Sequence, residues 1–121
     1  MHSIEKIIQE WQRTEFPYNL DGKISSARFM YLSARDRGVV YLTIESDKVA
    51  FYCPQEKRRL NLNGWIRVEY PNNPADRART LFDMYKSAEE KGHAILTSEK
   101  DESNEEMLVI YSPSTRGKKI Y

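Results

Sequence analysis

"RGVVYLTIESDKVAFYCP", residues 37–54, holds two β-rich runs on either side of Ser46 and Asp47. If those two residues form the turn of a hairpin, Glu45 faces Lys48, Ile44 faces Val49, Leu42 faces Phe51 and Val40 faces Cys53. This register puts Val40, Leu42, Ile44, Val49, Phe51 and Cys53 on one wholly apolar face. The opposite face carries a Tyr41–Tyr52 pair beside Thr43 and Ala50. Because side chains alternate with a period of two, a slip of one residue destroys the sorting, so the pattern itself specifies the pairing.

Working outward, a tight turn at "RDRG" (35–38) would feed an earlier strand, with Phe29 and Tyr31 on the apolar face and Arg28, Met30 and Leu32 on the other. Residues 24–70 then read as an antiparallel meander of four strands, punctuated by "RDRG", "ESDK", "CPQEKRR" and "NLNG". Ahead of it, Ser3 is placed to cap a helix whose stripe is Ile4, Ile7, Ile8 and Trp11, ended by Pro17 no later than about Thr14. Behind it, "NNPADRARTLFDMYKSAEEKG" (72–92) has the punctuation of a second helix. Asn73 caps it, Pro74 and Asp76 fall in the first turn, Lys91 in the last, and Gly92 just past the end. Its expected apolar face is Ala78, Leu81, Phe82, Tyr85 and Ala88. "HAILTSEK" and "EEMLVIYSP" form a last hairpin around the acidic "DESNEE", and residues 114–121 form a basic tail. No internal repeat or linker is visible. The expectation is one α+β domain over residues 1–113: an antiparallel sheet in the order α-β-β-β-β-α-β-β with two amphipathic helices.

Size and charge narrow the function classes. A chain of 121 residues buries one core, and its formal charge of +1 supplies no global field for nucleic acid or membrane. One cysteine and two histidines cannot make a structural zinc site, so Cys53 is expected in the core and no metal or cofactor is expected. No apolar run approaches the ~20 residues of a membrane span, and the chain reads as soluble and cytoplasmic. Five glycines include no phosphate-cradling loop.

Part of the quoted stretch, Arg37, Gly38, Tyr41 and Leu42 in "RGVVYLTI", resembles the core motif of RNA-recognition domains. Val39 and Ile44 stand where that family places aromatics, one of them a base-stacking ring, so the stacking chemistry is missing. "GWIRVEY" similarly shares only Trp65, Arg67 and Val68 with the Trp-Gly-Arg core of a DNA-end-binding module, with Ile66 in place of the glycine.

The feature left over is the second face of the sheet, too apolar to stand in water. The expected reading is a small non-enzymatic binding or adaptor protein. A protein partner or a second copy of the chain would meet Met30, Leu32, Tyr41, Tyr52 and Trp65, rimmed by Arg28, Arg58 and Arg67. The rival is single-stranded nucleic acid, held by the same aromatics with Lys57, Arg58, Arg59 and Arg67. A third reading is metal-independent RNA cleavage, for which Arg58, Arg67, His93 and Tyr111 supply the residue types.

Overall fold

The computed structural model describes residues 7–113. After a single 3-10 turn at Ile8–Glu10, the elements run β1 (Gln12–Pro17), α1 (Leu20–Arg37), β2 (Val39–Glu45), β3 (Lys48–Cys53), β4 (Ile66–Pro71), α2 (Pro74–Lys91), β5 (His93–Lys100) and β6 (Glu106–Ser112). All six strands join one antiparallel sheet in the order β1-β3-β2-β5-β6-β4. The class is the expected α+β antiparallel sheet with two helices.

The central hairpin has the register its pattern demands: Leu42 opposite Phe51, Ile44 opposite Val49, Glu45 opposite Lys48 and Tyr41 opposite Tyr52. Ser46 takes the positive φ of 52° that a two-residue hairpin turn requires. Val40, Leu42, Val49 and Phe51 enter the main core, and Cys53 is also buried. Both long helices lie over this one face, bringing in Met30, Ala34, Met84, Tyr85 and Ala88.

Two element assignments differ from expectation. Residues 24–32 are not the first strand of a meander but the middle of α1, and the additional strand is β1, in a segment expected to finish the N-terminal helix. Of that helix, Ser3 and Ile4 lie outside the described residues, as does the basic tail at 114–121. The buried seam of α1 is Gly22, Ser26, Met30, Ser33 and Ala34, at helical spacing but almost without large apolar side chains, while Leu20 and Ile24 point outward. A hydrophobicity pattern therefore carries little trace of this helix. The end signals do: the Asn19 side chain accepts from the Gly22 N–H at 2.8 Å, and Gly38 closes the helix in the left-handed conformation. A Cβ at Gly22 would fall 1.8 Å from the Pro17 carbonyl oxygen, so the first turn of α1 packs against β1 only with glycine there. The helix makes Met30 a core residue rather than part of a contact face. On α2 the caps are as expected, but the face is rotated: Thr80 and Met84 are buried, whereas Ala78 and Phe82 are exposed.

Against the expectation of none, the topology exposes an internal repeat. Residues 12–45 and 66–99 both run β-α-β and align without a gap at a constant separation of 54 (13 to 67, 19 to 73, 38 to 92), with 12 of 34 positions identical. "RTEFPYN" matches "RVEYPNN", "MYLSARDRG" matches "MYKSAEEKG", and "LTIE" matches "LTSE". Each half adds a further strand, so the fold is two βαββ units joined through β2 and β5. That ladder has its own pseudo-two-fold: Val39 faces Thr97, Thr43 faces His93, and Tyr41 faces Ile95 at the centre. The helices obey it too, since Lys23 lies over the Tyr85 ring at 5.4 Å and its counterpart Arg77 over the Tyr31 ring at 4.6 Å. Met30 and Met84 occupy equivalent places, both fully buried.

That equivalence has a measurable consequence. Met30→Ala and Met84→Ala should each lower stability by about 2–5 kcal/mol in urea unfolding, while Leu20→Ala on the outer face of α1 should stay within about 0.5 kcal/mol. A cheap Met30 substitution beside a costly Met84 one would contradict the matched packing of the two halves.

Candidate anion-binding cleft

With both helices on one face, the other face of the sheet needs a different cover. The N-terminal turn and the connection from β3 to β4 provide it. Ile8 and Trp11 pack with Val39, Tyr41 and Ile95, and Ile7, Leu60, Leu62 and Trp65 close over them. Tyr41 is only 3% exposed. The expected contact surface is therefore not one surface. Met30 lies beneath α1, Tyr41 lies under this cover, Trp65 is part of the cover itself, Arg28 and Leu32 are on α1, and Tyr52 alone is half-exposed on the sheet. The aromatic face has an occupant within the chain. Tyr41 also accepts or donates a 2.8 Å hydrogen bond with His93 Nδ1, whose ring meets Trp65 edge-on at 5.4 Å.

The covering connection is anchored where it crosses the end of α1. Arg37 donates to the Pro54 carbonyl at 3.1 Å, and the Arg58 N–H donates to the Arg37 carbonyl at 3.2 Å. At this crossing Gly38 has φ 87°, and a Cβ there would meet the Arg58 carbonyl oxygen at 2.6 Å. Its repeat counterpart Gly92 has φ 93° with nothing within 4 Å. Gly38 is thus required twice, by backbone conformation and by the close approach of the connection.

Past that crossing lies a cleft of about 480 Å³ between the connection and the β5–β6 hairpin. Five cations line it: Lys57, Arg58 and Arg59 from the connection, Arg35 from the last turn of α1, and Lys100 from β5. The Thr97 and Ser98 hydroxyls, Leu60 and Tyr111 complete the wall, with Glu99 and Glu106 as its carboxylates. Among the described residues, Lys57, Arg58, Arg59 and Lys100 take part in no salt bridge. Arg58 sits 5.9 Å above the Trp11 ring, and Arg35 is paired with Asp36 at 2.8 Å. The basic turn noted in the sequence is thus assembled with two cations, Arg35 and Lys100, that carry no local signal. Arg35 reads as part of a turn, and Lys100 as one charge in an acidic neighbourhood.

Arg67 is differently employed. It pairs with Glu69 and with Glu99, each at 2.9 Å, and donates to the Tyr111 hydroxyl, which itself donates to Glu99 at 2.8 Å. Thr97 donates to the same carboxylate at 2.7 Å. The first repeat has the same arrangement: Arg13 with Glu15 at 2.6 Å, Glu45 at 2.8 Å and the Tyr52 hydroxyl, and Thr43 donating to Glu45 at 3.3 Å. These two networks explain the repeated R-x-E and T-x-E patterns as structure, and they leave Arg67 without free charge for a ligand. The Arg13 hydrogen bonds hold Glu45 and Glu15 below the usual carboxylate range. At Glu99 burial works upward, but bonds from Thr97, Arg67 and Tyr111 outweigh it and hold it low as well. Burial, with Glu99 beside it, pushes the Tyr111 phenol up.

Of the residues considered for RNA cleavage, Arg58 and Tyr111 line the cleft, Arg67 is held in its ion pairs, and His93 lies against Tyr41 and Trp65. Among the described residues, no group of three or more His, Cys, Asp or Glu could hold a metal ion, and no helix is long and apolar enough to cross a membrane. No protein-family model, curated protein or solved structure matches this chain.

Two expectations follow from this geometry. Gly38→Ala and Gly92→Ala both force a left-handed backbone, at about 1–2 kcal/mol, but Gly38→Ala must also displace the Arg58 carbonyl. It should therefore cost more in chemical denaturation and speed amide exchange in residues 57–60, an effect Gly92→Ala should lack. The lowered carboxylates set the pH response. A folded pKa below the unfolded value of about 4.3 contributes stability that is complete above that value and lost as pH falls through the folded pKa. The thermal midpoint should be level from neutral to about pH 5 and fall below about pH 4. It should fall less steeply in an Arg13→Leu, Arg67→Leu double variant, which has less to lose because these pairs are largely solvent-screened. A midpoint that held or rose in acid would contradict the assignment.

Proposed function

We propose that the protein is a binding protein for single-stranded nucleic acid, engaging the phosphate backbone in the cleft between residues 57–60 and the β5–β6 hairpin. The observation that carries this reading is the convergence of five cations on one cleft holding two carboxylates, in a chain whose overall charge is only +1. Lys57, Arg58, Arg59 and Lys100 keep their charge for a ligand, while Ser98 adds a hydroxyl donor for phosphate oxygens and Thr97 keeps its own for Glu99. A strand held this way is bound by its charge rather than by its sequence. Tyr52 and Trp65, the rings that would have stacked bases, do not line the cleft, so recognition rests on the backbone.

The contacts expected of Arg67 pass to Lys100, which keeps the number of free cations at the site at four. Counterion release on a single strand then gives a log–log salt slope of about −3, from about −0.7 per phosphate over roughly four contacts. Fluorescence anisotropy with a mixed-sequence single-stranded oligonucleotide should show that slope. Neutralising Lys57, Arg58 and Arg59 together should flatten it by about two units, whereas Tyr52→Ala should leave slope and affinity nearly unchanged. Absence of binding at physiological salt, or binding that survives the triple neutralisation, would reject the cleft as the site. Capture of a protein partner by the triple variant and the wild type alike would favour the adaptor reading instead.

A further inference from the structure

The sheet ends in β1 on one side and β4 on the other, and among the described residues each end strand leaves one row of backbone N–H and C=O groups without a ladder partner. The two ends are repeat counterparts, yet they are built differently. On the helix-side face β1 places Gln12 and Thr14, where β4 places Ile66 and Val68, which are 42% and 43% exposed. An apolar edge strand in a position whose twin is polar is a template for pairing.

The residues of β4 also specify with what. "IRVEY" (66–70) is its own antiparallel complement about Val68. Paired with the same strand of a second copy, Arg67 faces Glu69 of the second copy and the reverse, Ile66 faces Tyr70, and Val68 faces itself. Opposite charges and an aliphatic–aromatic pair placed directly across favour an antiparallel ladder. Neighbouring registers do not work. Moving the centre by one residue puts Glu69 against Glu69 or Arg67 against Arg67, and like charges directly opposite are destabilising. Pro71, lacking an N–H, lies just beyond the paired stretch and stops it sliding further. Arg67 keeps Glu99 within its own chain while meeting the second copy's carboxylate, so no charge is stranded.

We infer that the chain forms a two-fold dimer by antiparallel β4–β4 pairing centred on Val68, joining two six-stranded sheets edge to edge. This is not the aromatic-face dimer expected from the sequence, and it uses none of Lys57, Arg58 or Arg59, so it stands or falls separately from nucleic-acid binding.

Sedimentation equilibrium of the full chain, from low micromolar to several hundred micromolar, should show a monomer–dimer equilibrium that stops at two. Val68→Lys sets two ammonium groups across the axis and should weaken dimerisation at least about tenfold, while Thr14→Lys on β1 should not. Val68→Cys should form a disulfide-linked dimer on mild oxidation, because the two-fold sets the two side chains directly opposite each other on one sheet face, and Thr14→Cys should not. Circular dichroism of each variant separates lost pairing from lost folding, and the wild-type mass does not depend on either. A wild-type monomer at every concentration overturns the inference. So does a dimer indifferent to Val68→Lys, or a mass that keeps growing, which would mean β4 meets a different edge in a non-closing contact.

Discussion

The pairing of β2 with β5 is the contact on which the rest of this molecule depends. Among the described residues it is the only ladder joining the two βαββ units, and its centre, Tyr41 opposite Ile95, lies on the pseudo-two-fold. Since each unit carries its helix on the same side, closing this ladder brings α1 and α2 together over one face and completes a core of Met30, Met84, Leu42, Leu96 and Phe51. It also decides what happens on the reverse face. Val39, Tyr41 and Ile95 are apolar at the centre of the sheet face that neither α1 nor α2 covers, and exposing them would forfeit about 25 cal/mol for each Å² left in water. The connection from β3 to β4 must therefore run across that face instead of turning tightly, and Leu60, Leu62 and Trp65 are its inward residues.

The candidate site is a by-product of this cover. A connection that packs Leu60 and Leu62 against the sheet holds the charges just before them at the rim, and those charges are Lys57, Arg58 and Arg59. Anchoring at Arg37 and Gly38 fixes where the rim lies, beside the end of α1 and Thr97 and Ser98 of strand β5. The duplicated Arg–Glu–Tyr networks hold the flanks of the same face and keep Arg13 and Arg67 in their own ion pairs, apart from the cations of the cleft.

Departures from the repeat are where the two halves acquire separate roles. Gly38 and Gly92 end equivalent helices, but only Gly38 is crossed by another segment. Phe29 joins Phe16 and Phe51 in a cluster with ring centroids 5.6 Å apart, while its counterpart Asp83 instead accepts a 2.6 Å hydrogen bond from Tyr70. The edge strands diverge in the same way, polar at Thr14 and apolar at Val68.

Local pattern was enough to establish the β2–β3 register, the caps of α2, the last hairpin and the burial of Cys53, since each depends on neighbours within a few residues. The sequence also holds the repeat, in "MYLSARDRG" and "MYKSAEEKG", although hydrophobicity hides it because, besides the shared Met30/Met84 and Ala34/Ala88, α1 buries Gly22, Ser26 and Ser33 whereas α2 buries Thr80 and Tyr85. For α1 the sequence holds the end signals, Asn19 and Gly38, but the helix is held by close packing against Pro17 and the sheet and not by an apolar stripe, which only the tertiary structure shows. The fate of the aromatic face was likewise a tertiary decision. An apolar sheet surface looks the same in sequence whether a partner or the chain itself covers it, and what separates the two is whether a connection such as residues 54–65 is long enough, and apolar at the right places, to lie across it.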